Sequence, residues 1–199
     1  SPTITVVLIE DSGGAVAGAA ATNVDCSYSA SGIYSTATVA LTMTINAVND
    51  EPTLTATTAT PTFTEDGSAV SVFSNAAAGY GDTDGSESAD RINSLTFTVT
   101  NVADTTEYLN VDGTACDLTN GNSETTSGNS MTCAVTVSSG TATVTLTHSG
   151  LTSAAIQTII DAMTYENSDQ SPTTGSRVVT ITAIGDDGGT ANGGDNSKS

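Results

Sequence analysis

The chain carries a second version of one of its own segments. SPTITVVLIEDSGG, residues 1–14, returns as SRVVTITAIGDDGG, residues 176–189. With Asp11 set on Asp186, Ser1, Thr5, Ile9, Gly13 and Gly14 fall on Ser176, Thr180, Ile184, Gly188 and Gly189. Such a return marks a repeat architecture read from an internal starting point. After Gly14 the chain runs through a loop into a strongly alternating stretch, residues 36–47, and after Gly189 no such stretch follows. The repeat therefore predicts that residues 1–47 hold the last two strands of a repeat, and that the domain at 53–199 lacks its final strand.

Alternation fixes the class. Val39, Leu41, Met43 and Ile45 share one side of the 36–47 stretch and small or Thr residues take the other, the period-two pattern of a half-buried strand. Residues 95–99, 134–137, 142–146 and 179–184 repeat the device, and further strands are expected at 53–58, 68–73 and 108–111, with Gly, Asn, Asp and Ser in the loops between. Leu151, Ala155, Ile156, Ile159, Ile160 and Met163 have helical spacing instead, so one short helix is predicted over 151–163. Seven or more strands with turn signals between them indicate an all-β Greek-key sandwich of Ig type with one helix.

Composition narrows the partners. Three Lys and Arg stand against 22 Asp and Glu, a net charge of −19, which repels nucleic acid and anionic membranes and attracts divalent cations. Charged residues are only 13% of the chain and hydrophobic ones 37%, enough for a core and unlike an acidic disordered tail. No stretch has the length and apolarity of a membrane span. Cys116 and Cys133 bracket a Gly/Ser/Asn-rich stretch between two expected strands, a hairpin arrangement that predicts a disulfide and an oxidising compartment, with two buried thiols as the alternative. Cys26 is left over, either unbridged or facing another copy.

The domain boundary falls at Val48-Asn49-Asp50-Glu51-Pro52, where Pro52 sets an extended entry into the next strand. Beyond it come Thr62-Phe63-Thr64-Glu65-Asp66-Gly67, Asp82-Thr83-Asp84-Gly85 and Asp186-Asp187-Gly188-Gly189. In the order of these four motifs the chain resembles the cadherin-like tandem repeats of large bacterial surface proteins and adhesins, over residues 47–189. The resemblance implies an Ig-like sandwich and calcium as the ligand.

The chemistry of the residues points to the same ion. Calcium takes six to eight hard oxygens from carboxylates, Asn and backbone carbonyls, whereas zinc requires His or Cys; His148, the single histidine, sits beside a Ser-Gly turn and reads as a surface residue. The candidate ligands are Asn49, Asp50, Glu65, Asp66, Asp82, Asp84 and Asp186. Strand alternation sorts them: the Asp82/Asp84 loop and the Asp186/Asp187 turn belong to the pole where the linker enters, and Glu65 and Asp66, with Glu166, to the opposite pole. A junction between successive domains would combine the lower pole of one, the linker and the upper pole of the next. Taken singly, each of these acids is also an ordinary turn former.

No catalytic set emerges. His148 has no nucleophile-elbow motif near it, and the paired carboxylates lie in Gly-flanked turns where both stay solvated. The sequence predicts an extracellular structural protein rather than an enzyme. Its partners are then copies of itself, with residues 36–47 donated head to tail into the incomplete sandwich of a neighbour as a surface filament, or neighbouring repeats of a giant adhesin. The Thr-x-Thr pattern at Thr42-Met43-Thr44, Thr53-Leu54-Thr55 and Thr96-Phe97-Thr98 raises a glycan- or ice-binding surface as a third reading, although Thr is also a good residue for the solvated face of a strand.

Overall fold

Alternating apolar and Thr residues form the longer strands of the chain. The computed structural model describes residues 3–9, 34–44, 48–81 and 90–199, the strands of the first 42 residues as backbone. In chain order the elements are β1 (Thr3–Ile9), β2 (Tyr34–Thr42), β3 (Thr53–Thr58), β4 (Val70–Ser71), β5 (Phe73–Gly79), β6 (Ile92–Val99), β7 (Glu107–Val111), β8 (Thr114–Asp117), β9 (Ser123–Thr125), β10 (Thr132–Ser138), β11 (Thr141–Leu151), α1 (Ser153–Asp161), β12 (Thr164–Asn167), β13 (Val179–Asp186) and β14 (Ser197–Lys198). They form two units, Ser1–Ala47 and Val48–Ser199.

In the larger unit a six-stranded sheet, ordered β14-β13-β6-β11-β10-β9, faces a four-stranded one, β4-β12-β7-β8, and the pair β3-β5. The β6–β11 register sets Phe97 opposite Val144 and Leu95 opposite Leu146, and all four are fully buried. Leu109 and Val111 of β7 and Ile156 and Ile160 of α1 belong to the same core. The fold is an all-β sandwich with one short helix. Thr152 caps α1 by accepting from the Ala155 amide at 3.2 Å, a bond that contributes about 1 kcal/mol. Two-residue turns close β7–β8 and β10–β11: Asp112-Gly113 and Ser139-Gly140 all have positive φ, which primed hairpin turns require.

Several details differ from the pattern read in sequence. The stretch 68–73 is not one strand: β4 pairs with β12 and β5 with β3. Val72 makes the crossing, donating to the Met163 carbonyl at 3.1 Å and accepting from the Ala59 amide at 2.9 Å. The chain thus changes sheets at a single buried residue. Strands β8, β9, β12 and β14 were not foreseen, being two to four residues long and mostly polar.

The Cys116–Cys133 disulfide is present, but it is not a hairpin bridge. The Asp112-Gly113 turn folds β8 back on β7, so Cys116 belongs to the four-stranded sheet and Cys133, in β10, to the six-stranded one. The bridge staples the two layers of the sandwich through its core.

In the smaller unit β1 and β2 form an antiparallel pair, with Ile4 opposite Leu41 and Val6 opposite Val39. Strand β2 begins and ends earlier than the expected 36–47. Val39 and Leu41 lie within it, Met43 just beyond it, and Ile45 outside the described residues.

Candidate functional site

The linker residue Asn49 folds onto the end of β13. Its Nδ2 donates to Asp186 Oδ1 at 3.0 Å and to the Asp195 carbonyl at 2.7 Å, and its own carbonyl accepts from the Asp195 amide at 3.0 Å. Two acceptors on Nδ2 fix the amide's orientation. Its Oδ1 is thereby turned toward Gly188, where any side chain would strike Asn49 Oδ1 and come within 2.7 Å of Asp90 Oδ2. Glycine at 188 is what lets these oxygens approach.

Asp186 is only 1% exposed. One carboxylate oxygen, Oδ1, accepts from Asn49 and from the Gly188 amide at 3.0 Å; the other, Oδ2, is buried and accepts nothing, as is Asn49 Oδ1. Burial pushes the Asp186 carboxyl above the usual Asp range, the Gly188 and Asn49 hydrogen bonds pull it back, and the nearby Asp90 and Asp187 charges push it up further. Asp187 is held separately, accepting from the Arg91 amide at 2.6 Å. Buried acceptor oxygens without donors are costly. An amide oxygen and carboxylates are the donor set that suits calcium and disfavours zinc.

Of the expected ligands, the fold joins Asn49 and Asp186 and adds Asp90 and, through its backbone, Asp195, which the sequence reading did not select. Asp50 adjoins Asn49 and is exposed. Asp82 and Asp84 lie outside the described residues; Gly81, at the edge of their segment, backs directly onto the Glu51 carbonyl. Glu65 and Asp66 do not join this group. Asp66, an exposed turn residue, accepts from Gln170 Nε2 at 3.1 Å, beyond the opposite end of β13. Glu166 stands opposite Tyr108 in the β12–β7 ladder. Among the described residues no three acidic, His or Cys side chains form a ready metal cage. His148 takes a local hydrogen bond, its Nδ1 accepting from the Gly150 amide at 2.9 Å.

The opposite end of β13 is anchored by an ion pair that sequence reading missed. Arg177 donates from Nη2 to Glu107 Oε1 at 2.8 Å and from Nε to Glu107 Oε2 at 2.9 Å, and Tyr165 donates to the same carboxylate at 2.7 Å. Glu107 is fully buried. Burial alone would raise its pKa, but the hydrogen bonds from Arg177, the Asp104 and Ala103 amides and Tyr165 outweigh it and hold the carboxyl below the usual Glu range.

Between these two ends β13 has an open edge. β14 pairs only with Ile184 and Gly185, and among the described residues no strand covers the outer edge from Val179 to Ala183. The consequence shows in burial: Val99 and Phe97 of β6 are fully buried, while Val179 and Ile181, their partners on β13, are only partly buried against the core. Beside this edge lies a cleft of about 1140 Å³ lined by residues 58–65 and 171–179 with Val70, Val72, Tyr165 and Asn167. Val178, at its mouth, is 53% exposed.

Comparison with protein-family models, curated proteins and solved structures finds no match to this chain. Among the described residues no helix is long and apolar enough to cross a membrane.

Proposed function

We propose that the chain is an extracellular structural subunit that polymerises by strand donation into a surface filament, with calcium stiffening the linker pole. The observation that carries this reading is the open edge of β13, where Val179 and Ile181 stay only partly buried beside fully buried neighbours. A sandwich one strand short supplies a template for an added strand. The stretch 36–47 has the matching pattern, and burying Val39, Leu41, Met43 and Ile45 would contribute about 1.5–3 kcal/mol each before ordering costs. A disulfide through the core suits an oxidising, extracellular setting. Calcium, when bound, would supply positive charge to Asn49 Oδ1, Asp186 Oδ2 and Asp90, tying the linker to the end of β13.

A second reading has its own observation. β1 and β2 pair as the last two strands of a repeat would, which is what a segment of a giant calcium-dependent adhesin would retain from the preceding domain. Removing residues 1–47 separates the two. Loss of filaments on removal supports donation; filaments that persist without residues 1–47 contradict it.

A further inference from the structure

β1 and β13 are repeat copies of one strand, and they differ at one edge. β1 is the repeat equivalent of residues 178–184, Thr5 falling on Thr180 and Ile9 on Ile184. Its partner β2 runs antiparallel with Thr3 opposite Thr42, Ile4 opposite Leu41, Thr5 opposite Ala40, Val6 opposite Val39 and Val7 opposite Thr38. The two copies also break register at nearly the same place, β1 against β2 between Val7 and Ile9, and β13 against β6 between Ile181 and Ala183. β1 thus has a covering strand that β13 lacks.

We propose that the outer edge of β13 receives β2 of a second copy in the register that β1 holds, so that β1 and β13 compete for one strand. This rests on the strand-donation reading above and adds to it a partner register and a built-in guard. Transferred to β13, the register sets Thr42 opposite Val178, Leu41 opposite Val179, Ala40 opposite Thr180, Val39 opposite Ile181 and Thr38 opposite Thr182. Residues directly opposite share a face, so Val39 and Leu41 come beside the two partly buried side chains. Continuing the chain carries Met43 past Arg177, along the 171–179 wall of the cleft.

Two features limit the occupant. β14 already pairs with Ile184 in the antiparallel sense, Lys198 standing where Tyr34 stands opposite Ile9; the incoming strand is therefore confined to residues 178–182 and runs away from β14. The chain's own β2 cannot reach. Asn49 is tied to Asp186, the end of β13 from which an antiparallel strand departs, while Thr42 would have to stand opposite Val178. Seven extended residues span at most about 25 Å, and the run from Val178 to Asp186 is itself about 26 Å long. The strand comes from another molecule, and it must leave β1 to do so.

Cysteine pairs test this in the intact chain with Cys26→Ser. Directly opposite positions in an antiparallel pair fall within disulfide range. In Thr5→Cys/Ala40→Cys, oxidation locks β2 onto β1; the expected result is loss of assembly, restored by a reductant too mild to open the buried Cys116–Cys133 bridge. Val6→Cys/Val39→Cys provides the same lock if the first pair fails to fold. In Ala40→Cys/Thr180→Cys, oxidation is expected to give a ladder of disulfide-linked oligomers on a non-reducing gel. If oxidised, locked protein assembles as readily as reduced, or if assembled Ala40→Cys/Thr180→Cys gives no ladder, the inference is wrong while donation stands. If the intact chain with unaltered strands never assembles, donation itself falls and the inference with it.

Discussion

Asn49 Nδ2 and Asp186 Oδ1 meet at 3.0 Å across 137 positions of sequence, joining the linker to the last residue of β13. The bond leaves Asp186 Oδ2 and Asn49 Oδ1 buried without donors. Thermal unfolding should therefore rise with calcium and fall with excess chelator, because a ligand of the folded state alone stabilises it by mass action. An unchanged midpoint would remove calcium from the account.

Asp186→Asn should change sign with calcium. In chelator it relieves a buried charge and should leave the protein as stable or about 1–3 kcal/mol more so. In calcium it removes a carboxylate ligand, and the calcium-dependent gain should shrink. Denaturant titrations in the two conditions read both signs; equal effects in both would separate Asp186 from the cation.

Gly188→Ala should push Asn49 and Asp90 away from the turn, since the added methyl strikes Asn49 Oδ1. The expected cost is about 1–3 kcal/mol, together with a weakened calcium response. A variant as stable as the parent, with its response intact, would show that the oxygens need not come so close.

Arg177→Met should be among the most damaging single changes, costing about 3–5 kcal/mol by leaving the Glu107 carboxylate buried and unpaired. The pair also sets an acid limit. Because the folded Glu107 pKa is depressed below its ordinary 4.5, the stability it contributes is present above that value and is lost as pH falls through the folded pKa. A stability profile from neutral pH down to pH 2 should show this decline, flattened in Arg177→Met.

Opening the Cys116–Cys133 bridge closes off less of the unfolded ensemble, over a separation of 17 residues. Replacing both cysteines with alanine should cost about 3 kcal/mol in the chain-entropy account, measured as a lowered denaturant midpoint.

The long alternating runs were legible because their inner faces are continuous: residues 95–99 and 179–184 are strands, and the 151–163 pattern contains α1. What escaped was short and context-made. β8 had one usable signal, the Asp112-Gly113 turn, and without it the disulfide was read as local when it joins two sheets. β12, with sequence TYEN, has no apolar period to detect. Asn49 and Asp186 stood in motifs and could be singled out, whereas Asp90 and Asp195 come to them only through the fold. Arg177 and Glu107 lie 70 positions apart, and nothing local marks them as a pair.

The mass of the intact chain in calcium, followed by light scattering across increasing concentration and checked by electron microscopy, tests the central claim most directly. Strand donation predicts a mass that grows with concentration into fibres of regular subunit repeat. A single monomer mass at the highest concentration would contradict it and leave the tandem-repeat reading in its place.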